Sequence, residues 1–354
     1  MKNRLSVLAL LMLATIISMG ICLRTARADP DIFYVDDDSN SSTPGWGFDH
    51  FNKIQDAVDA ATDGDTIYVY SGTYYEDVQV DEKNNLKFIA EKAGQPVKSV
   101  IVNPGKEAGF WIWGSSGTKI SGFKITNASN GIDTYMADYS DFSNNHIENC
   151  SSWGIYLIGN YSKIANNYLK NTHGGILCSL VMHRMIGDVF SKNTILNTKP
   201  SSGIDITNGV NCSITNNFIS NASVGIKLDH YEADCSGNMI TNNEISNSAI
   251  GIKLGDYANP GEPSMTDNVI GRNYIHDATP YPSYGGEGIY IEYNEGREVA
   301  EHTQIHHNTI EDFNVGIRNY GDYGSVHHNN AINCTTDYVD LGSGNVDYKN
   351  SWNT

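Results

Sequence analysis

Short runs of alternating apolar and polar residues, each interrupted by Gly or Asn, make up most of this chain. The runs Gly-Ile-Asp-Ile-Thr at Gly203 and Gly-Ile-Lys-Leu-Asp at Gly225 place apolar side chains at every second position, which is the period of a strand. Asn-Phe-Ile at Asn217 reads the same way. The Gly unit recurs at Gly109, Gly131, Gly154, Gly175, Gly203, Gly225, Gly251, Gly288 and Gly316. An Asn-x-apolar unit recurs between them at Asn145, Asn167, Asn193, Asn217, Asn243, Asn273, Asn308 and Asn330, with Phe123 in the Asn place of the first repeat. The Asn-to-Gly arc holds at about eight to ten residues except between Asn273 and Gly288, while the Gly-to-Asn arc absorbs insertions. Self-similarity at this period predicts a solenoid whose coils each supply two or more short strands.

Stacked coils of this kind form parallel sheets around an apolar core, with Asn side chains laddered along one corner. A strict hexapeptide period, which left-handed β-helices favour, is absent. The expected fold is therefore all-β: a right-handed parallel β-helix of about eleven coils with an N-terminal capping α-helix. The helix is expected over Phe51 to Ala61, where Phe51, Ile54, Ala57, Val58 and Ala61 share one face. It precedes the first good strand, Gly64 to Tyr70, and would cover a core and edge left open. After Ile332 the register is lost. On these repeats the chain resembles the right-handed parallel β-helix proteins of the pectin-lyase-like superfamily, and more narrowly the NosD-type repeat proteins of archaeal and bacterial cell surfaces. The resemblance covers Tyr34 to the C-terminus and implies fold more than activity, because this architecture hosts lyases, hydrolases, epimerases, adhesins and scaffolds.

Residues 1–28 read as a signal peptide: Lys2 and Arg4 precede the apolar run Leu5 to Leu23, and Ala26-Arg27-Ala28 offers a cleavage site. An uncleaved N-terminal anchor is the alternative, and the only expected membrane contact. Residues 29–63 would form an N-terminal segment with the capping helix, and 64–354 the β-helix. The expected location is secreted or cell-surface. Cleavage changes the charge from 23 basic against 41 acidic residues to 19 against 41, a net of −22. That excludes a nucleic-acid backbone as partner and disfavours polyanionic glycans away from a local basic patch. The expected partner is an extracellular polysaccharide, and the chain is expected to act as a monomer. Sequons at Asn40, Asn127, Asn149, Asn160, Asn211, Asn221 and Asn333 are candidate glycan acceptors in an exported protein. The five cysteines of the mature chain are odd in number and lack CxxC spacing, so a disulfide framework is not expected.

Aligning the repeats on Gly gives columns. The residue after Gly points inward and the next one outward. One outward column reads Trp111, Asp133, Tyr156, Leu177, Asp205, Lys227, Lys253, Tyr290 and Arg318; a second, two places on, reads Trp113, Tyr135, Ile158, Ser179, Thr207, Asp229, Gly255, Glu292 and Tyr320. Trp111, Trp113, Tyr135, Tyr156, Tyr290, Glu292, Arg318 and Tyr320 are candidate substrate-binding residues, since aromatic rings with polar tips suit the apolar faces of sugars. Insertions at Asp256 to Asp267, Tyr293 to Thr303 and Asp277 to Glu287 would wall a groove over Asp205 through Glu292.

Within that groove Asp205, Lys227, Asp229 and Lys253 are candidate catalytic residues. A lyase would use a lysine as base with Arg318 or Arg272 nearby, and Asp205, Asp229 or Glu292 would hold Ca²⁺ if one is used; no cofactor is otherwise required. A glycoside hydrolase would use the two Asp carboxyls. The Gly-His-Gly and Arg-Ile-Lys signatures of galacturonases and the Trp-x-Asp-His segment of pectate lyases are absent. Two classes stay open: a non-catalytic glycan binder and a polysaccharide lyase or hydrolase. A structural surface-layer protein is a third reading. The resemblance to NosD-type proteins adds metal handling, with His306 and His328, read as sharing one register, as the candidate ligands and His307 and His327 beside them.

Overall fold

A computed structural model describes residues 31–91, 99–179, 183–231, 233–256, 265–279, 286–292 and 300–352. Its strands pair in parallel from coil to coil. A fourteen-strand sheet opens with His50–Phe51 and Ile32–Val35, continues through Thr66–Val69 and Lys87–Ala90, and closes with Val346–Tyr348. A twenty-strand sheet contains two ladders, one through the Asn-x-apolar units and one through the Gly units. The ladders merge because Thr194–Thr207 and Phe218–His230 run through both, with a register shift between Thr198 and Ser202. A four-strand sheet adds a short ladder from Met185–Ile186 to Met265–Thr266. The chain is a parallel β-solenoid of about ten turns, close to the expected eleven.

The core follows the predicted inward column. Ile176, Ile204, Ile226, Ile252, Ile289 and Ile317 face one another in register, and all are fully buried. Close approach of coils explains the glycines. A Cβ on Gly225 would lie 2.4 Å from Ile245 Cγ2 and 2.6 Å from the Gly251 carbonyl oxygen. In the last coil Asp337 takes that place, since Tyr338 stands opposite Ile317.

Buried asparagines hold one corner. The backbone N–H of Asn193 donates to Asn217 Oδ1 at 2.9 Å, and that of Asn217 to Asn243 Oδ1 at 3.0 Å. The Asn217 Nδ2 donates back to the Phe190 carbonyl at 2.9 Å. Each Asn thus satisfies backbone groups that would otherwise be buried unpaired. Phe123 does occupy the first place, donating its N–H to Asn145 Oδ1. The last place needs correcting. Asn308 pairs with Asn329, not Asn330, and Ala331 faces Ile310. Nor does the register end at Ile332. Thr336–Asp340 and Val346–Tyr348 continue two ladders, and Asn350 receives the Asn329 N–H.

The helix spans Ile54–Ala60, shorter than predicted, because Phe51 is committed to an edge strand opposite Val35. Ile54, Ala57 and Val58 bury against the first coils. The Glu76 carboxylate accepts from the N–H groups of Ile54 at 2.8 Å and Gln55 at 3.0 Å, replacing a local cap. Cys150, Cys178, Cys212, Cys235 and Cys334 are free thiols. The expected signal segment lies outside the described residues. No helix among the described residues is long and apolar enough to cross a membrane.

Candidate functional site: an outward sheet face and a histidine corner

The Gly ladder carries the predicted face. Trp111 pairs with Asp133 and Trp113 with Tyr135, while Asp133 also pairs with Tyr156. Farther along, Asp205, Lys227, Lys253, Tyr290 and Arg318 stand opposite one another in consecutive coils. Trp111 and Trp113 are 48% and 41% exposed. Tyr135, Tyr156, Tyr290, Glu292, Arg318 and Tyr320 are half-buried. Asp133 stands between Trp111 and Tyr156, as the outward column places it, although it is not among the candidate binding residues. Its carboxylate accepts from Asn130 Nδ2 at 2.8 Å, and burial raises its proton affinity.

The four candidate catalytic residues do come together, as an ion network. Lys227 Nζ contacts Asp229 Oδ2 and lies 3.7 Å from Asp205 Oδ2. Lys253 Nζ lies 2.9 Å from Glu292 Oε2 and 5.9 Å from the centre of the Tyr290 ring. Asp205, Asp229 and Lys253 are each no more than 9% exposed. Burial raises both Asp pKa values against the lowering field of Lys227. Burial alone would lower Lys227, yet the charges of Asp205 and Asp229 overcome it and hold the ammonium above its ordinary range. A lysine held in that way is a poor general base.

Several expectations change here. Ammonium groups stand where a Ca²⁺ would: Asp205 and Asp229 turn to Lys227, and Glu292 turns to Lys253. Arg318 lies 3.5 Å from Glu287, a buried carboxylate that the sequence reading passed over although it sits one place before a repeat Gly. Arg272 is at another corner, beside His306. The walls proposed from insertions fall largely on residues 257–264, 280–285 and 293–299, which lie outside the described residues. A cavity of about 450 Å³ sits at the N-terminal cap, lined by Asp37, Lys53, Asp56, Tyr75 and Glu76 among others, well before the ion network in the coil order.

The histidines are also rearranged by the Asn329 register. His306 pairs with His327, not with His328, and His327 pairs with Tyr348. Strands end at His306 and His327, and His307 and His328 both take φ of +55°, the left-handed corner conformation that Asn144, Asn166, Asn216 and Asn242 adopt in other coils. That turn defeats alternation and brings neighbouring imidazoles to one side. His306 Nδ1 is 3.2 Å from His307 Nδ1, and His327 Nδ1 is 3.0 Å from His328 Nδ1. Between coils the rings stack, at 5.3 Å for His306 on His327 and 4.7 Å for His307 on His328. Partial burial and the adjoining imidazoles lower the pKa of His306 and His327.

Residues 187–336 match the family described as the right handed beta helix region, and residues 50–177 match the family described as periplasmic copper-binding protein (NosD). Among the described residues, neither group of side chains able to hold a metal, His307-His327-His328 or Asp36-Asp37-Asp38, falls inside that second match. No curated protein matches the sequence. Among solved structures, the fold is similar to that of the Dettilon tailspike protein, at 14% identity and a TM-score of 0.61 over 89% of this chain and 65% of that one. It is also similar to the catalytic domain of a GH87 α-1,3-glucanase in complex with tetrasaccharides, at 13% identity and a TM-score of 0.62 over 92% and 70% of the two chains. An alginate lyase complex is similar at 14% identity and a TM-score of 0.55 over 94% and 87%. Identities this low carry the fold alone. The parallel ladders, the Gly and Asn columns and the two family matches make this chain a right-handed parallel β-helix repeat protein whose residues 50–177 are similar to NosD.

Proposed function

We propose that this protein is exported and binds an extracellular polysaccharide along the outward face of the Gly ladder, without turning it over. The exposed pair Trp111 and Trp113, in register with Asp133 and Tyr135, carries this reading. Two indole faces along a strand suit the apolar faces of successive sugar rings, and the Asp133 carboxylate with the Asn130 amide offers partners to hydroxyl groups. The net charge of the mature chain favours a neutral glycan over a polyanion. Similar folds in a glucanase complex and an alginate lyase complex agree with a carbohydrate ligand. Affinity electrophoresis in gels containing neutral or acidic polysaccharides tests it. Retardation by a neutral glycan that the Trp111→Ala, Trp113→Ala pair abolishes is expected. Equal retardation of both proteins would overturn the reading.

A hydrolase is the second reading, favoured by Asp229. Its Oδ1 is buried with no hydrogen-bond partner among the described residues, and burial raises its pKa toward that of a general acid. Release of reducing ends by wild type and not by Asp229→Asn would establish this alternative. The lyase variant fits less well, because Lys227 is held protonated by two carboxylates.

A further inference from the structure

We propose that His307, His327 and His328, with His306 behind them, form a binding site for a divalent first-row transition ion such as Zn²⁺, Ni²⁺ or Cu²⁺. The site is independent of the sheet face and of the glycan reading. Donor nitrogens of His307, His327 and His328 all lie within 4.8 Å of one another. Two cis ligands at about 2.0–2.1 Å from an ion stand roughly 2.9 Å apart in a square plane and about 3.3 Å apart in a tetrahedron. The Nδ1 separations of 3.0 Å in His327-His328 and 3.2 Å in His306-His307 fall in that range. Neighbouring residues of a regular strand could not achieve this. The left-handed corner does, and it is used by His-His in two successive coils.

Space is also provided. His306 packs over Gly271, where a Cβ would come within 2.5 Å of its Cε1, so this coil carries no side chain at that place. His307 and His328 are exposed, leaving the donors open to an ion from solvent. Next to the cluster stand Arg272 in the preceding coil and Tyr348 and Lys349 in the following one. Two cations and an all-imidazole donor set disfavour Ca²⁺ and Mg²⁺, which need carboxylates, and select an ion that bonds strongly to nitrogen. Copper fits the same donors as zinc or nickel. The structural alternative is a ladder of stacked rings, His306 on His327 on Tyr348, that binds nothing.

Calorimetric titration of the full chain, purified without a polyhistidine tag, separates the two. Wild type is expected to bind one Zn²⁺ or Ni²⁺ per chain, with at least a tenfold loss of affinity in His307→Asn and again in His328→Asn. Those substitutions install the residue that other coils use at this corner, so the fold is expected to persist, checked by circular dichroism. His302→Ala, an exposed histidine at a different corner, should leave affinity unchanged, and Ca²⁺ should not compete. Paramagnetic resonance of the Cu²⁺ form should show at least three coupled nitrogens. Identical Zn²⁺ and Ni²⁺ isotherms for wild type and the double Asn variant, or no binding by wild type at 0.1 mM ion (about 5 kcal/mol at that threshold), would overturn the proposal.

Discussion

Two stretches of one sheet face differ sharply. From Trp111 to Tyr156 the outward columns carry aromatic rings, with two tryptophans open to solvent. From Asp205 to Glu292 the same columns carry charges, and most of these are buried. Alternation places both sets outside the coil, but pointing outward and being wet are separate properties. Opposite charges at one strand spacing contact each other and exclude water, whereas rings in register with Asp133 remain accessible. The open stretch is suited to binding. In the central stretch, carboxylates and ammonium groups pair with one another, with Asp229 Oδ1 left over as the buried oxygen on which the hydrolase reading rests.

The largest effect that would sharpen this contrast is loss of Lys227. Lys227→Met leaves Asp205 and Asp229 buried without their shared cation, and a destabilisation of about 3–5 kcal/mol is expected by urea unfolding. A change near zero would mean the network is solvated and the two stretches do not differ. A second effect comes from a buried corner of the coil that precedes the central stretch. Asp188 is fully buried in a corner ladder, accepting from the Ser162 N–H at 2.8 Å and from the Cys178 thiol at 3.7 Å. Burial pushes its pKa up to about 7. An unfolded Asp ionises near pH 4, so between about pH 4 and 7 the native state holds a proton that the unfolded state has lost. Stability from this group therefore falls as pH rises through that window. Asp188→Asn should remove this part of the pH dependence and gain about 2–4 kcal/mol at pH 8, with little change at pH 4. Equal pH profiles for the two proteins would count against a buried neutral acid.

The smallest stability effect is expected at the open end. Replacing Trp111 and Trp113 by Ala should cost about 1–2 kcal/mol in unfolding, because nearly half of each side chain is already in solvent, while glycan retardation is lost. A large loss of stability instead would make these indoles part of the packing, and the contrast between the stretches would fail.

Coil architecture was legible in the sequence because it rests on local rules. Alternation alone put Ile204, Ile226 and Ile252 in the core, and recurrence of Gly marked where coils come closest. Phe123 in an Asn place could be read from spacing. The charge cluster could be located, but its state could not: only the paired geometry shows Lys227 held by two carboxylates. Register at the C-terminal coils was also undetermined, since Asn329 and Asn330 are equally asparagine. The choice falls to whichever side chain can accept the Asn308 N–H and return a donor to the coil behind, as Asn329 does to the Ile305 carbonyl. That one-residue choice moved His327 opposite His306. The left-handed φ at His307 and His328, which hydrogen bonding between coils imposes, then gathered four imidazoles that strand alternation would have kept apart.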